Sequence, residues 1–76
     1  MQKADYTTLK VGQKVSVWYP GYRGVQAFQG DYTVVKADKT KVVVQHIAEG
    51  YERKFSVRRQ VEIGTCDIAN YAYIVQ

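Results

Sequence analysis

Three valine-rich runs separated by turn residues constrain this chain more than any other feature. Lys14–Tyr19 (KVSVWY) places Val15, Val17 and Tyr19 on one parity and Lys14, Ser16 and Trp18 on the other. That period of two belongs to a strand with one buried face. Asp31–Ala37 (DYTVVKA) and Lys41–His46 (KVVVQH) read as two more strands, and Asp38-Lys39-Thr40 between them reads as a hairpin turn. Gly12-Gln13 marks a turn before the first strand, with Leu9 and Val11 expected to feed the core. Ala48-Glu49-Gly50 makes the next turn, Tyr51–Val57 a fourth strand, Arg58-Arg59-Gln60 a single helical turn and Val61–Ile63 a brief fifth strand closed by Gly64. In the tail TCDIANYAYIVQ, Tyr71, Tyr73 and Val75 alternate with Ala72 and Ile74, which predicts another strand or an extended segment packed on the barrel. The expectation is a single all-β domain over residues 1–76. It is a small closed or nearly closed barrel of about five antiparallel strands, with its core over about 9–64 and an extra C-terminal strand or extended tail over 65–76.

Composition narrows the function classes. Valine (12) and tyrosine (7) dominate, and both favour strands. A chain of 76 residues buries only about 60% of the surface that it exposes when unfolded, so its core is thin. A deep pocket for a small substrate would remove much of that core. No apolar run reaches the roughly 20 residues of a membrane span, and the start MQKADYTTLK lacks a signal-type apolar stretch. A cytoplasmic protein with no membrane partner is expected. Cys66 is the single cysteine, so no intrachain disulfide or cysteine-rich zinc site is available. The net charge of +4 and pI near 9.3 favour acidic partners, nucleic acid among them.

A family resemblance rests on the stretch from Gly12 to Ile63. "GQKVSV" stands as a first strand and "PGYRG" as the loop after it. Gly30, Val34, Val35 and Asp38 follow, then "VVV" as a third strand, Gly50 as a turn and "QVEIG" as the close. This order resembles the SH3-like barrels of the KOW family, which includes the C-terminal domain of the elongation factor NusG and a group of ribosomal proteins. The match covers about two thirds of the chain; the spacing from Gly21 to Gly30, with its insertion "YRGVQAF", is longer than the family's compact pattern. The resemblance implies a binding module that contacts RNA, ribosomal components or the transcription machinery through the loop after the first strand.

That loop is aromatic and basic. Trp18 lies on the opposite parity from Val15 and Val17, while Tyr22 and Phe28 fall in the loop beside Arg23. Exposed rings next to an arginine suit base stacking or a protein hot spot, and Trp18 and Phe28 equally suit covers over the open end of the barrel. Basic residues form two groups: Lys36, Lys39 and Lys41 around the hairpin, and Arg53, Lys54, Arg58 and Arg59 along the fourth strand and its exit. Arginines grip phosphate bidentately, whereas lysines beside a hairpin also protect a sheet edge. The candidate binding residues are therefore Trp18, Tyr22, Arg23, Arg53, Lys54, Arg58 and Arg59. Tyr19 and Tyr32 are expected to bury their rings with hydroxyls at the rim. His46 is the one histidine, and the seven carboxylates are scattered, so no catalytic residue, metal site or cofactor is expected. Gly21, Gly24 and Gly30 precede no helix and make no phosphate loop.

Two functions follow as expectations. One is a non-enzymatic module binding RNA, DNA or a ribonucleoprotein surface. The other is a protein-interaction barrel, a small regulator of phage or plasmid type docking on a larger enzyme or transcription complex. A monomer is expected, with a homodimer through the tail as the alternative; Tyr71 and Tyr73 are read as completing the core.

Overall fold

A computed structural model of the chain describes residues 4–20, 25–63 and 72–76. Six strands form in chain order: β1 (Lys14–Tyr19), β2 (Ala27–Ala37), β3 (Lys41–His46), β4 (Glu52–Ser56), β5 (Val61–Glu62) and β6 (Tyr73–Val75). They make one antiparallel sheet in the order β5-β4-β3-β2-β1-β6. The sheet curls into an SH3-like half-barrel, the all-β architecture expected from the sequence, and no helix occurs among the described residues.

The curl comes from β2, the longest strand, which pairs with β1 through its first part and with β3 through its second. Two register shifts lie along it. Opposite Ser16–Trp18 it runs from Asp31 to Phe28, and opposite Val44–Val43 it runs from Val34 to Lys36. In each case β2 carries one extra residue. Such bulges bend a strand and increase its twist. Gly30, inside the first bulge, has φ +109°, and a Cβ built there would lie 2.6 Å from His46 Nε2. Only glycine fits both the backbone and the neighbour.

Val15, Val17, Tyr32, Val34, Val42, Val44 and Phe55 face inward and are buried. Ala4, Tyr6, Ala72 and Ile74 join the same core from outside the span 9–64. The tail strand pairs along β1 through Ser16↔Val75, Val17↔Ile74 and Trp18↔Tyr73, so it occupies the edge position that completes the half-barrel. Tyr73 is buried but pairs with Trp18 on the face opposite the inward Ile74, so Ala72 and Ile74, not Tyr73, complete the core; Tyr71 lies outside the described residues. The N-terminal segment then ties off β6: the Ala4 amide donates to the Ile74 carbonyl at 2.8 Å, and the Ile74 amide donates to the Tyr6 hydroxyl at 2.9 Å.

Two further expectations are corrected. Val11 is 65% exposed: it sits in the Val11–Gly12 turn and leaves the core to Leu9. Phe28 is not in a loop, because β2 begins at Ala27 and pairs Phe28 with Trp18. Alternation is masked there by the extra residue of the bulge, so the period-two signal starts only at Asp31.

Candidate binding surfaces

The outer face of β2, β3 and β4 collects the basic residues. Inward-facing Val42 and Val44 put Val43 on the outside, and the register flanks it with Lys36 on β2 and Lys54 on β4. One step along, Lys41 pairs with Ser56 on the same face. Val43 is 5% exposed although it points away from the main core. The aliphatic stems of the two flanking lysines are in register to cover it, leaving their ammonium groups in water.

The turn after β4 adds the arginines. The Val57 amide donates to the Thr40 carbonyl at 3.0 Å, which ties this turn to the β2–β3 hairpin. The turn closes with the Gln60 amide donating to the Ser56 carbonyl at 2.7 Å and Gln60 in the left-handed region at φ +57°. Lys36, Lys39, Lys54, Arg58 and Arg59 are exposed, Lys41 is half-buried, and none of the six forms a salt bridge among the described residues. The sequence showed two separate basic groups; the hairpin and the turn after β4 bring them to one end of the sheet.

The acidic residue within that group is Asp38, and its carboxylate is already engaged. One Oδ1 accepts from the Thr40 amide, the Thr40 hydroxyl and the Lys41 amide, each at 2.8 Å. These backbone and hydroxyl donors hold its pKa down to about 2, with Lys36 adding a smaller attraction. Asp38 thus spends its acceptor on the turn rather than pairing with a neighbouring lysine.

Arg53 sits elsewhere. It shares the inward parity of Phe55, and its side chain is 12% exposed. Nε and Nη2 grip the two carboxylate oxygens of Glu62 at 2.7 Å each. Nη2 also donates to the Tyr19 hydroxyl at 3.3 Å and Nη1 to the Tyr32 hydroxyl at 3.5 Å, while the guanidinium lies 5.5 Å from the Tyr19 ring centre. The Glu62 hydrogen bonds raise its pKa further above the ordinary arginine range. The structure therefore separates Arg53 from Lys54, Arg58 and Arg59: its fork closes the rim of the barrel between β4 and β5.

Around this ion pair lies an aromatic cluster that sequence spacing did not reveal. The Tyr32 hydroxyl donates to that of Tyr51 at 3.0 Å, His46 stacks on Tyr51 at 4.9 Å, and Tyr32 meets His46 edge-on at 4.9 Å. His46 Nδ1 accepts from the Glu49 amide at 2.9 Å, within the β3–β4 turn. The histidine packs and braces a turn. Its Tyr51 partner is 49% exposed, as its turn position suggests. Tyr32 buries its ring as expected, whereas Tyr19 is half-buried against the core, and the hydroxyls of both meet Arg53.

Trp18 and Phe28 form a second surface. Their rings meet at 5.1 Å and 63°, and Trp18 Nε1 donates to Ser16 Oγ at 3.0 Å. Trp18 is half-buried and Phe28 is 52% exposed, on the outer face of β1 and β2. Tyr22 and Arg23 lie outside the described residues. Phe28 and Lys36 stand at opposite ends of β2, eight residues apart, or roughly 25 Å of extended strand. The aromatic pair and the basic rows are thus two surfaces.

A cleft of about 300 Å³ lies between the N-terminal turn and the β2–β3 hairpin, lined by Tyr6, Leu9, Ala37, Lys39 and Val57 among others. No group of three His, Cys, Asp or Glu side chains is arranged to hold a metal among the described residues, and no helix there is long and apolar enough to cross a membrane. The fold and these surfaces define a small SH3-like β-domain with a basic outer face. No protein-family model, no curated protein and no solved structure matches the chain.

Proposed function

We propose that this protein is a non-enzymatic binding module that takes nucleic acid on the outer face of β2–β4. The observation that carries the reading is the convergence of Lys36, Lys39, Lys41, Lys54, Arg58 and Arg59 on one end of the sheet, where the ionised Asp38, hydrogen-bonded within its own turn, offsets only one of six positive charges. Clustered cations in excess of carboxylates, here six against Asp38 and, one row beyond Lys54, Glu52, displace the counterions of a polyanion, and each phosphate so neutralised contributes about −0.9 to the log–log salt slope on duplex. The resemblance to KOW barrels points to the same class of partner.

Titrating fluorescent RNA and DNA at two salt concentrations tests it. Binding should weaken steeply with salt, and Lys54→Gln combined with Arg58→Gln should weaken it further and flatten the slope. Absence of binding at low salt would reject the proposal. A second reading, docking on a protein partner, has its own support in the exposed Phe28 ring seated on Trp18. Aromatic residues of this kind dominate protein interfaces. Under that reading Phe28→Ala abolishes capture of a protein partner while leaving nucleic-acid binding unchanged.

A further inference from the structure

The basic face differs from a single-strand binding surface in one respect. Sites that hold unpaired bases combine a cationic groove with aromatic platforms. Here the rows Lys36–Val43–Lys54 and Lys41–Ser56 carry no ring, nor does the turn with Arg58 and Arg59. The other described aromatics are placed elsewhere: Tyr6, Tyr32 and Phe55 are buried, Tyr19 packs on the core, and Tyr51 stands at the β3–β4 turn. Trp18, Phe28 and Tyr73 lie in one row across β2, β1 and β6, at the far end of β2.

We infer that this face recognises the phosphate backbone of a double-stranded nucleic acid, without reading its sequence. The inference rests on the nucleic-acid reading and names its substrate class. Two physical points favour a duplex. Its charge density is the highest available, one phosphate per about 1.7 Å of axis against 3.4 Å for each strand. Each contact also releases more counterions, with slopes near −0.9 per phosphate on duplex and −0.7 on single strands. Five contacts would differ by about one unit of slope, which is roughly tenfold in affinity per decade of salt. With no ring among its described residues, the face has no stacking of its own to offset that preference. Val43, buried and in register between Lys36 and Lys54, sets the two lysines one strand to either side on the same face of the sheet. Lysines so placed contact phosphates without addressing base edges.

The test is fluorescence anisotropy with four probes: a short RNA duplex, a DNA duplex, and unstructured single strands of uridylate and thymidylate. Each is measured at about 50 and 200 mM salt. At the lower salt, at least one duplex should bind about tenfold tighter than either single strand, and two duplexes of unrelated sequence should bind within about twofold of each other. Lys36→Gln and Lys54→Gln should each flatten the duplex slope by about 0.9, whereas Phe28→Ala leaves it unchanged. All three positions are exposed, and circular dichroism verifies that each variant is folded. Whether the RNA or the DNA duplex meets the criterion identifies the duplex taken. Single strands that bind as tightly as duplexes, or more weakly once Phe28 is replaced, would overturn this inference while leaving the nucleic-acid reading intact. No binding of any probe would overturn both.

Discussion

Single residues at three positions hold geometry that the neighbouring sequence cannot supply alone. Asp38 organises the β2–β3 hairpin through three donors on one oxygen, and its folded pKa of about 2 lies below the ordinary 3.8. As pH falls, the unfolded chain therefore takes up this proton first. The contribution of Asp38 to stability is complete above about pH 4 and lost as pH falls through 2. Thermal midpoints recorded from pH 5 to 2 should drop less steeply in Asp38→Asn than in the parent. At Arg53 the issue is an orphaned charge. Arg53→Ala leaves Glu62, whose side chain is 14% exposed, without its bidentate partner, and should cost about 3 kcal/mol in urea unfolding. Arg53→Lys should restore less than half, since an ammonium cannot reproduce two parallel bonds. Gly30→Ala combines a positive φ with a Cβ 2.6 Å from the His46 ring, so a loss of about 1–3 kcal/mol is expected. A loss near zero in the same titration would mean that the bulge can relax.

Among the elements, β6 and the N-terminal segment matter more than their length suggests. Ile74 is fully buried, Ala72 nearly so, and β6 hydrogen-bonds along β1 on one edge and to Ala4 and Tyr6 on the other. Deleting 72–76 should therefore unfold the domain, seen as loss of near-ultraviolet dichroism, rather than convert a folded dimer into a folded monomer. Tyr6 gives this junction an alkaline signature. Burial pushes its phenol up to about 12, against a smaller opposing pull from the Ile74 amide. A raised folded pKa stabilises below the unfolded value near 10 and ceases to do so as pH climbs through 12. Tyr6→Phe should remove that alkaline step and lower stability at neutral pH, because the Ile74 amide loses its acceptor.

For the whole molecule, charge distribution is the informative quantity. The net charge of +4 is modest, yet six cations gather at the hairpin end of the sheet, three of them in register on its outer face. Crowded like charges oppose the compact state, and a bound polyanion relieves them. A duplex present at about 100 times its dissociation constant should raise stability by about 2.7 kcal/mol, read as a rise in thermal midpoint that high salt abolishes. The same duplex added to a Lys36, Lys54 and Arg58 triple glutamine variant should give a much smaller rise.

Alternation and turn chemistry determined, in the sequence itself, that the chain is all-β. The strands Lys14–Tyr19 and Lys41–His46 and the Asp38 turn were legible because each depends on neighbours within a few residues. The tail strand was legible too, from Tyr73–Val75. Tertiary structure decided the rest. Bulges in β2 shift the register by one residue and hide its first four positions from any periodic pattern. Arg53 looked like its neighbours Lys54 and Arg58 until the pairing of β4 with β5 brought Glu62 beside it. Lys36, Lys41 and Lys54 became one face only when three strands lay in register. Local signals fix how a backbone runs, whereas a surface is assembled from residues that only hydrogen-bonded strands bring together.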